Sequence, residues 1–310
     1  MKKLRAQKTI VSIMIFLALV SPLFLFRSAN AQPVLPTIFI QPDGSIYPNT
    51  APIQRNGNNY TFTDNAYAAI KILKSNIVLN GAGYTLRGPF NGNSTDIWVI
   101  GTGPDPNTLD KYTIGVDLGN NSVNGITIEN LNVENFSIGM YIWTQNNTVT
   151  RNSISDNIVG LLISGSNATL SRNYISDNMR GMFMGFNTGV TPNDIIVFQN
   201  DFEKNKIQLS GCQCKTYNMS EPPHNWDNGT QGNYWSDYNG TDANHDGIGD
   251  TPYSIDVLDR DRFPLMQSPI NPSIQLSIIH IEAIVLGISL SAVLIVAVFT
   301  VKRMRKRKTS

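Results

Sequence analysis

Asn130-Leu-Asn-Val-Glu-Asn135, Asn152-Ser-Ile-Ser-Asp-Asn157, Asn173-Tyr-Ile-Ser-Asp-Asn178 and Asn200-Asp-Phe-Glu-Lys-Asn205 repeat one phrase, with leading asparagines 22, 21 and 27 residues apart. The last interval is lengthened by an insert between Gly185 and Asn193. A glycine follows each of the first three units (Gly139, Gly160, Gly181), and then an apolar stretch: Met140 to Trp143, Leu161 to Ile163, Met182 to Met184. A fainter unit runs from Asn76 to Leu86, and Tyr112 to Leu118 adds a candidate strand. The apolar runs are short, rich in β-branched and aliphatic residues, and punctuated by Asn, Gly and Ser, which predicts strands and turns rather than helices. A fixed period of this length marks a repeat architecture. The leucine lattice of a leucine-rich repeat is missing, and an antiparallel sandwich has no use for periodic asparagine. The expected fold is all-β, a right-handed parallel β-helix in which equivalent residues stack about 4.8 Å apart. Asparagines at one turn would then form a ladder of amides bonded to the backbone above and below.

Outward from the repeats, the chain divides by charge. The net charge of +1 over 310 residues hides two basic, apolar ends around an acidic body, 32–273, which holds 34 of the 35 asparagines. Asn disfavours helix interiors, which argues against a helical bundle. An acidic body also excludes a sequence-independent nucleic-acid binder. Residues 1–31 read as a signal peptide: Lys2, Lys3, Arg5 and Lys8, an apolar run from Ile10 to Phe26, and Ala29-Asn30-Ala31 as cleavage site. Residues 281–301 read as a single membrane span, Ala283 to Val301 being free of charge. The basic tail, 302–310, places the C-terminus in the cytoplasm and the acidic body outside. Between these ends lie an N-terminal cap (32–74), the repeats (75–212), a C-terminal cap (213–266) and a Pro-rich linker (267–280). A solenoid's ends must be covered. Trp226, Tyr234, Trp235, Tyr238, Tyr253 and Phe263 read first as that cover.

From about Asn76 to Met266 the chain resembles the β-helix domain of NosD-like proteins, named for the factor that helps assemble the copper site of nitrous oxide reductase. The resemblance is carried by the repeats, by Gly232-Asn-Tyr-Trp-Ser-Asp-Tyr238, and by Thr241-Asp-Ala-Asn-His-Asp-Gly-Ile-Gly-Asp-Thr-Pro-Tyr253. This closing segment is similar to one found in many exported archaeal proteins. The wider group includes sugar-binding and sugar-cleaving β-helices, so the resemblance implies fold more than activity. Copper is not expected as a cofactor, because the mature body offers only His224 and His245 besides the juxtamembrane His280.

Several residue patterns could carry chemistry. Asp242, Asn244, Asp246, the Ile248 carbonyl and Asp250 fall at positions 1, 3, 5, 7 and 9 of an EF-hand-type loop with Gly247 at the sharp turn. Position 12 is Tyr253 rather than Glu, so a structural Ca2+ would need a further ligand such as Asp256 or Asp259. In the repeat alignment Glu134, Asp156 and Asp177 form a carboxylate row, ended by Lys204 and flanked by Arg151 and Arg172. Stacked carboxylates one or two coils apart approach the separations used by glycosidases; solvent-facing turns explain them equally. Cys212 and Cys214 read either as a small-loop disulfide or as soft Cu(I) ligands with Met179, Met182 or Met184. Nine sequons, at Asn59, Asn93, Asn120, Asn135, Asn146, Asn167, Asn218, Asn228 and Asn239, exceed the roughly five expected from composition. The expected function is a membrane-anchored, non-enzymatic ectodomain that binds or organises extracellular carbohydrate or a surface-layer protein. A polysaccharide lyase or hydrolase, and metal handling, are the alternatives.

Overall fold

The computed structural model describes residues 35–90, 112–119, 122–185, 192–211, 224–255 and 259–270. The signal peptide and the membrane span read from the sequence lie outside them. Among the described residues there are 24 strands and no α-helix, and no helix is long and apolar enough to cross a membrane.

Three sheets form the walls of a parallel β-helix. The first wall has eight strands, among them Ala69–Ile72, Ile114–Leu118, Ile138–Ile142, Val159–Ile163, Arg180–Met184 and Ile207–Gly211. The second has seven, including Thr127–Glu129, Thr148–Thr150, Thr169–Ser171 and Ile196–Phe198. The third, also of seven, includes Asn132–Glu134, Ser153–Ser155, Tyr174–Ser176, Asp201–Glu203 and Tyr234–Trp235. The chain visits the second, third and first walls in turn and then begins the next coil, so neighbours within a wall pair in parallel. Two antiparallel hairpins, Thr37–Ile40 with Ile46–Tyr47 and Ile53–Asn56 with Asn59–Phe62, cover the N-terminal end. Parallel pairing already begins there, at Thr37 with Ala69, upstream of the recognisable repeats.

Each wall contributes a column of inward side chains. In the third wall Val133, Ile154, Ile175, Phe202 and Trp235 stack in register; in the first, Val116, Met140, Leu161, Met182 and Leu209 do so. Met182 and Met184 are thus buried core residues.

The corners explain the asparagines. Each corner pairs a residue in the left-handed backbone region with a buried residue directly after it. At the corner between second and third walls the left-handed residues are Asn130, Arg151, Arg172 and Gln199, with φ of 52, 57, 56 and 54°. Between third and first walls they are Asn135, Asp156, Asp177 and Lys204, with φ of 64, 57, 56 and 54°. Asn and Asp tolerate this conformation better than other non-glycine residues. The buried partners form two ladders. Asn152, Asn173, Asn200 and Asn233 each accept, at Oδ1, the backbone N–H of the residue one coil before, at 3.0–3.1 Å. Asn157, Asn178 and Asn205 repeat this at the other corner, at 2.9–3.0 Å.

One expectation is corrected in detail. Asn132 pairs with Ser153 and Ser153 with Tyr174, so the period is 21 across the first three units before the 27-residue step to Asp201, and Leu131 and Phe136 occupy the places of Asn152 and Asn157. The first unit was therefore aligned one residue out of register. Leu131 packs instead beneath Gly81, where a Cβ would sit 2.3 Å from the Leu131 Cα.

Candidate functional site

The register decides which charged residues meet. Asp156 and Asp177 share one corner in consecutive coils and are exposed, with Lys204 in the following coil. Glu134 is not in that row: it ends a third-wall strand, pairs with Ser155, and forms an ion pair with Arg87. Arg151 and Arg172 stand at the other corner. Arg151 forms an ion pair with Glu129 and donates to Asn130 at 3.2 Å, while Arg172 donates to Gln199 at 3.0 Å. The expected neutralised ladder is thus replaced by separate pairs along different edges.

The Asp-rich loop folds on itself. Asp242 accepts the N–H groups of Asp246 and Gly247 at 3.1 and 2.9 Å, and Asp250 accepts that of Ala243 at 2.8 Å. Asn244 donates to Asp246 at 2.9 Å, and Ile248 bridges to Leu265. Tyr253, at position 12, belongs to the cap: its ring stacks on Trp235 and its hydroxyl donates to Asp237 at 3.1 Å. Asp259, one suggested extra ligand, accepts the His224 N–H at 2.9 Å; Asp256 lies outside the described residues.

The cap closes both the core and one ladder. Trp235 lies between Phe202 and Tyr253 with ring centroids 4.4 and 4.3 Å away and both interplanar angles 8°. Asp261 takes the place of the next asparagine, accepting from Asn233 N at 2.6 Å, Trp235 Nε1 at 2.9 Å and Phe263 N at 3.0 Å. Burial pushes its carboxyl up to about 6 despite these donors. Gly232 is required here, because a Cβ would meet Asp261 Oδ1 at 1.7 Å. A second buried acid, Asp201, sits under residues 268–270. Ser268 donates to its Oδ2, its Oδ1 has no partner, and burial raises its carboxyl to about 7. Neither acid was singled out from sequence; an isolated Asp in a turn-rich chain gives no sign of burial.

A cavity of about 360 Å3 opens at the corner between first and second walls, lined among others by Trp143, Gln145, Ser164 and Ser166. Trp143 and Ser164 are 21 residues apart, hence stacked neighbours, which the period could have revealed.

For a metal, the donor sets are sparse. Among the described residues no three His, Cys, Asp or Glu side chains group so as to hold an ion. Met182 and Met184 face the core, Met179 packs against an apolar cluster, and the His224 side chain is buried beside Asp259. These residues do not make a copper site. Cys212 and Cys214 lie outside the described residues, as do Asn93, Asn120 and Asn218. Of the remaining sequons, Asn59, Asn146, Asn167, Asn228 and Asn239 are exposed and Asn135 is half-buried.

No curated protein matches the chain. A family described as "Periplasmic copper-binding protein (NosD)" matches residues 48–240, which takes in most of the coils and the start of the C-terminal cap, and the chain belongs to that family.

Proposed function

We propose that this chain is an exported, membrane-anchored β-helix that binds or organises surface carbohydrate or a surface-layer protein without turning it over. Export is supported by the basic and apolar ends and by the periplasmic setting in the family's description. The observation that carries the binding reading is the dispersal of the charged candidates. Glu134 and Arg151 are engaged in ion pairs on different edges, and Asp156 and Asp177 point into solvent from turns. General acid–base catalysis needs two groups converging on one bond; Asp156 and Asp177 stack one coil apart but both stand exposed on turns, and Glu134 and Arg151 are drawn into ion pairs elsewhere. The stacked coils instead offer a long, rigid flank. The Asp242 to Asp250 loop is read as a structural Ca2+ loop on the spacing of Asp242, Asn244, Asp246, the Ile248 carbonyl and Asp250 alone. The exposed sequons suit a glycosylated surface in a host that modifies them.

The family description supports a second reading, copper handling, which would fall to Cys212 and Cys214. Retention of the full chain on host-surface polysaccharide and surface-layer protein, with product analysis and a Cu(I) titration alongside, separates the readings. Binding without product supports the proposal. Product formation that is lost in Asp156→Asn and Asp177→Asn would establish an enzyme. Stoichiometric Cu(I) binding lost in Cys212→Ser with Cys214→Ser would establish copper handling.

A further inference from the structure

We propose that residues 267–270 form a strap across the third wall, fastened by the un-ionised carboxyl of Asp201 and released when that carboxyl gives up its proton. The proposal goes beyond the binding reading and does not depend on what the flank binds.

The strap is placed by the end of the cap. Leu265 donates its N–H to the Asn233 carbonyl at 2.8 Å and bridges to Tyr234 on the last third-wall strand. Three residues later Ser268 reaches Asp201, which pairs with Tyr234 but belongs to the coil before. The chain therefore doubles back along the outside of the third wall, since Phe202 faces the core and its strand neighbour Asp201 faces the other way. Ile270 is 8% exposed and Asp201 is 0% exposed, so an outward-facing carboxyl has no contact with water.

Proton counting sets the state of the fastened form. Ser268 has one hydroxyl proton, yet its Oγ lies within bonding distance of two acceptors, Asp201 Oδ2 and the Ile270 carbonyl. It also accepts the Ile270 N–H at 3.2 Å. All three contacts are satisfied together only when Asp201 Oδ2 carries a proton and donates it to Ser268, while Ser268 donates to the Ile270 carbonyl. With an ionised carboxyl, one proton must serve two acceptors, and Oδ1, which has no partner, holds charge in a dry site.

The surroundings do not offset that charge. Tyr174 in the preceding coil donates to Glu203 at 3.0 Å, and Lys204 forms an ion pair with the same Glu203. Glu203 itself, two residues along the strand, adds like charge. Tyr234 stands beside Asp201 from the next coil, and Gln267 to Ile270 contribute no titratable side chain. Burial, with Glu203 behind it, raises the Asp201 carboxyl from 3.8 to about 7, so the fastened form is favoured below about 7 and given up above it. The strap is the part that lifts, because a side-chain bond ties Ser268 to the wall whereas backbone bonding holds Leu265. Residues 271–280 separate the strap from the membrane span read from the sequence, so release lengthens that tether by four residues, ~13 Å at full extension.

The test is hydrogen exchange of the full chain in detergent, followed at the Ile270 and Leu265 amides and corrected for the intrinsic pH dependence of exchange. Ile270 protection is expected to be at least tenfold lower at about pH 8.5 than at about pH 5.5, with Leu265 protection unchanged. Asp201→Asn, whose amide donates to Ser268 at every pH, should keep the Ile270 protection of the acid form throughout. Ser268→Ala should be poorly protected at Ile270 already at about pH 5.5. Should Asp201→Asn fail to fold, the wild type and Ser268→Ala still decide the matter. Ile270 protection independent of pH in the wild type, or the same fall in Asp201→Asn, would overturn the proposal. So would Leu265 falling in step with Ile270, because the cap would then open as a unit.

Discussion

Replacing Asn173 by Ala tests the ladder at its centre. The Asn173 side chain is fully buried, accepts Asn152 N and Nδ2 at 3.0 Å each, and donates to the Val149 carbonyl at 2.8 Å and Asn200 Oδ1 at 2.9 Å. One group, the Asn152 N–H, loses its partner with no substitute, whereas the Val149 carbonyl keeps its place in the parallel ladder opposite Leu170. Asn152 Nδ2 keeps the Ile128 carbonyl at 3.0 Å, and Asn200 Oδ1 keeps the Asn173 N–H at 3.0 Å. At about 1–3 kcal/mol for the orphaned buried N–H and about 1 kcal/mol for the bond lost at the Val149 carbonyl, the cost is about 2–4 kcal/mol. The comparison is Asn167→Ala, at an exposed left-handed corner with φ of 55°, where the loss is a conformational preference of about 1 kcal/mol. Urea denaturation of both variants gives the two values. If Asn173→Ala cost no more than Asn167→Ala with an unchanged m-value, the buried amides would not be what holds successive coils together.

Other perturbations follow the same geometry. Burial raises the Asp201 carboxyl from 3.8 to about 7, so its contribution to stability is complete below about 3.8 and is lost as pH rises through about 7. The wild type should therefore lose up to about 4 kcal/mol more than Asp201→Asn between about pH 4 and pH 8; parallel pH profiles would show the carboxyl to be unperturbed. Trp235→Ala removes a side chain 1% exposed together with both ring stacks and the bond to Asp261, and should cost about 3–5 kcal/mol in denaturant melts. A cost below about 1 kcal/mol would mean the cap does not seal the core. Calcium at about a hundredfold excess over Kd should stabilise the chain by about 2.7 kcal/mol, an increment abolished in Asp250→Asn. Identical melting with calcium and with chelator would dismiss the loop as a cation site.

The solenoid was legible because its period is written twice, once in apolar triplets and once in asparagine. The single error of register has a physical source. Asparagine serves two purposes at each corner, outward in the left-handed position, as at Asn130 and Asn135, and inward in the ladder, as at Asn152 and Asn157. One letter with two roles one residue apart invites a slip of one. That slip placed Glu134 in a row where it does not stand. The burial of Trp226 and Trp235 was legible from bulk alone. The cap's closing acid was not, because Asp261 stands 28 residues beyond Asn233, off the repeat, and nothing local marks it as the ladder's last acceptor. Asp201 reads as a surface turn residue until residues 268–270 are seen lying over it. The Trp143 cavity hides for a related reason: an aromatic at a corner belongs to core or surface according to what stacks one coil away.

The most direct test of the stacking is a nuclear Overhauser experiment on the side-chain amides of chain labelled with 15N at asparagine. Cross-peaks are expected between the Nδ2 protons of Asn152 and Asn173, and of Asn173 and Asn200, whose amides are bonded at 3.0 and 2.9 Å. Assigned amides showing no contact between residues 21 and 27 positions apart would contradict the β-helix, and with it the flank on which the proposed binding depends.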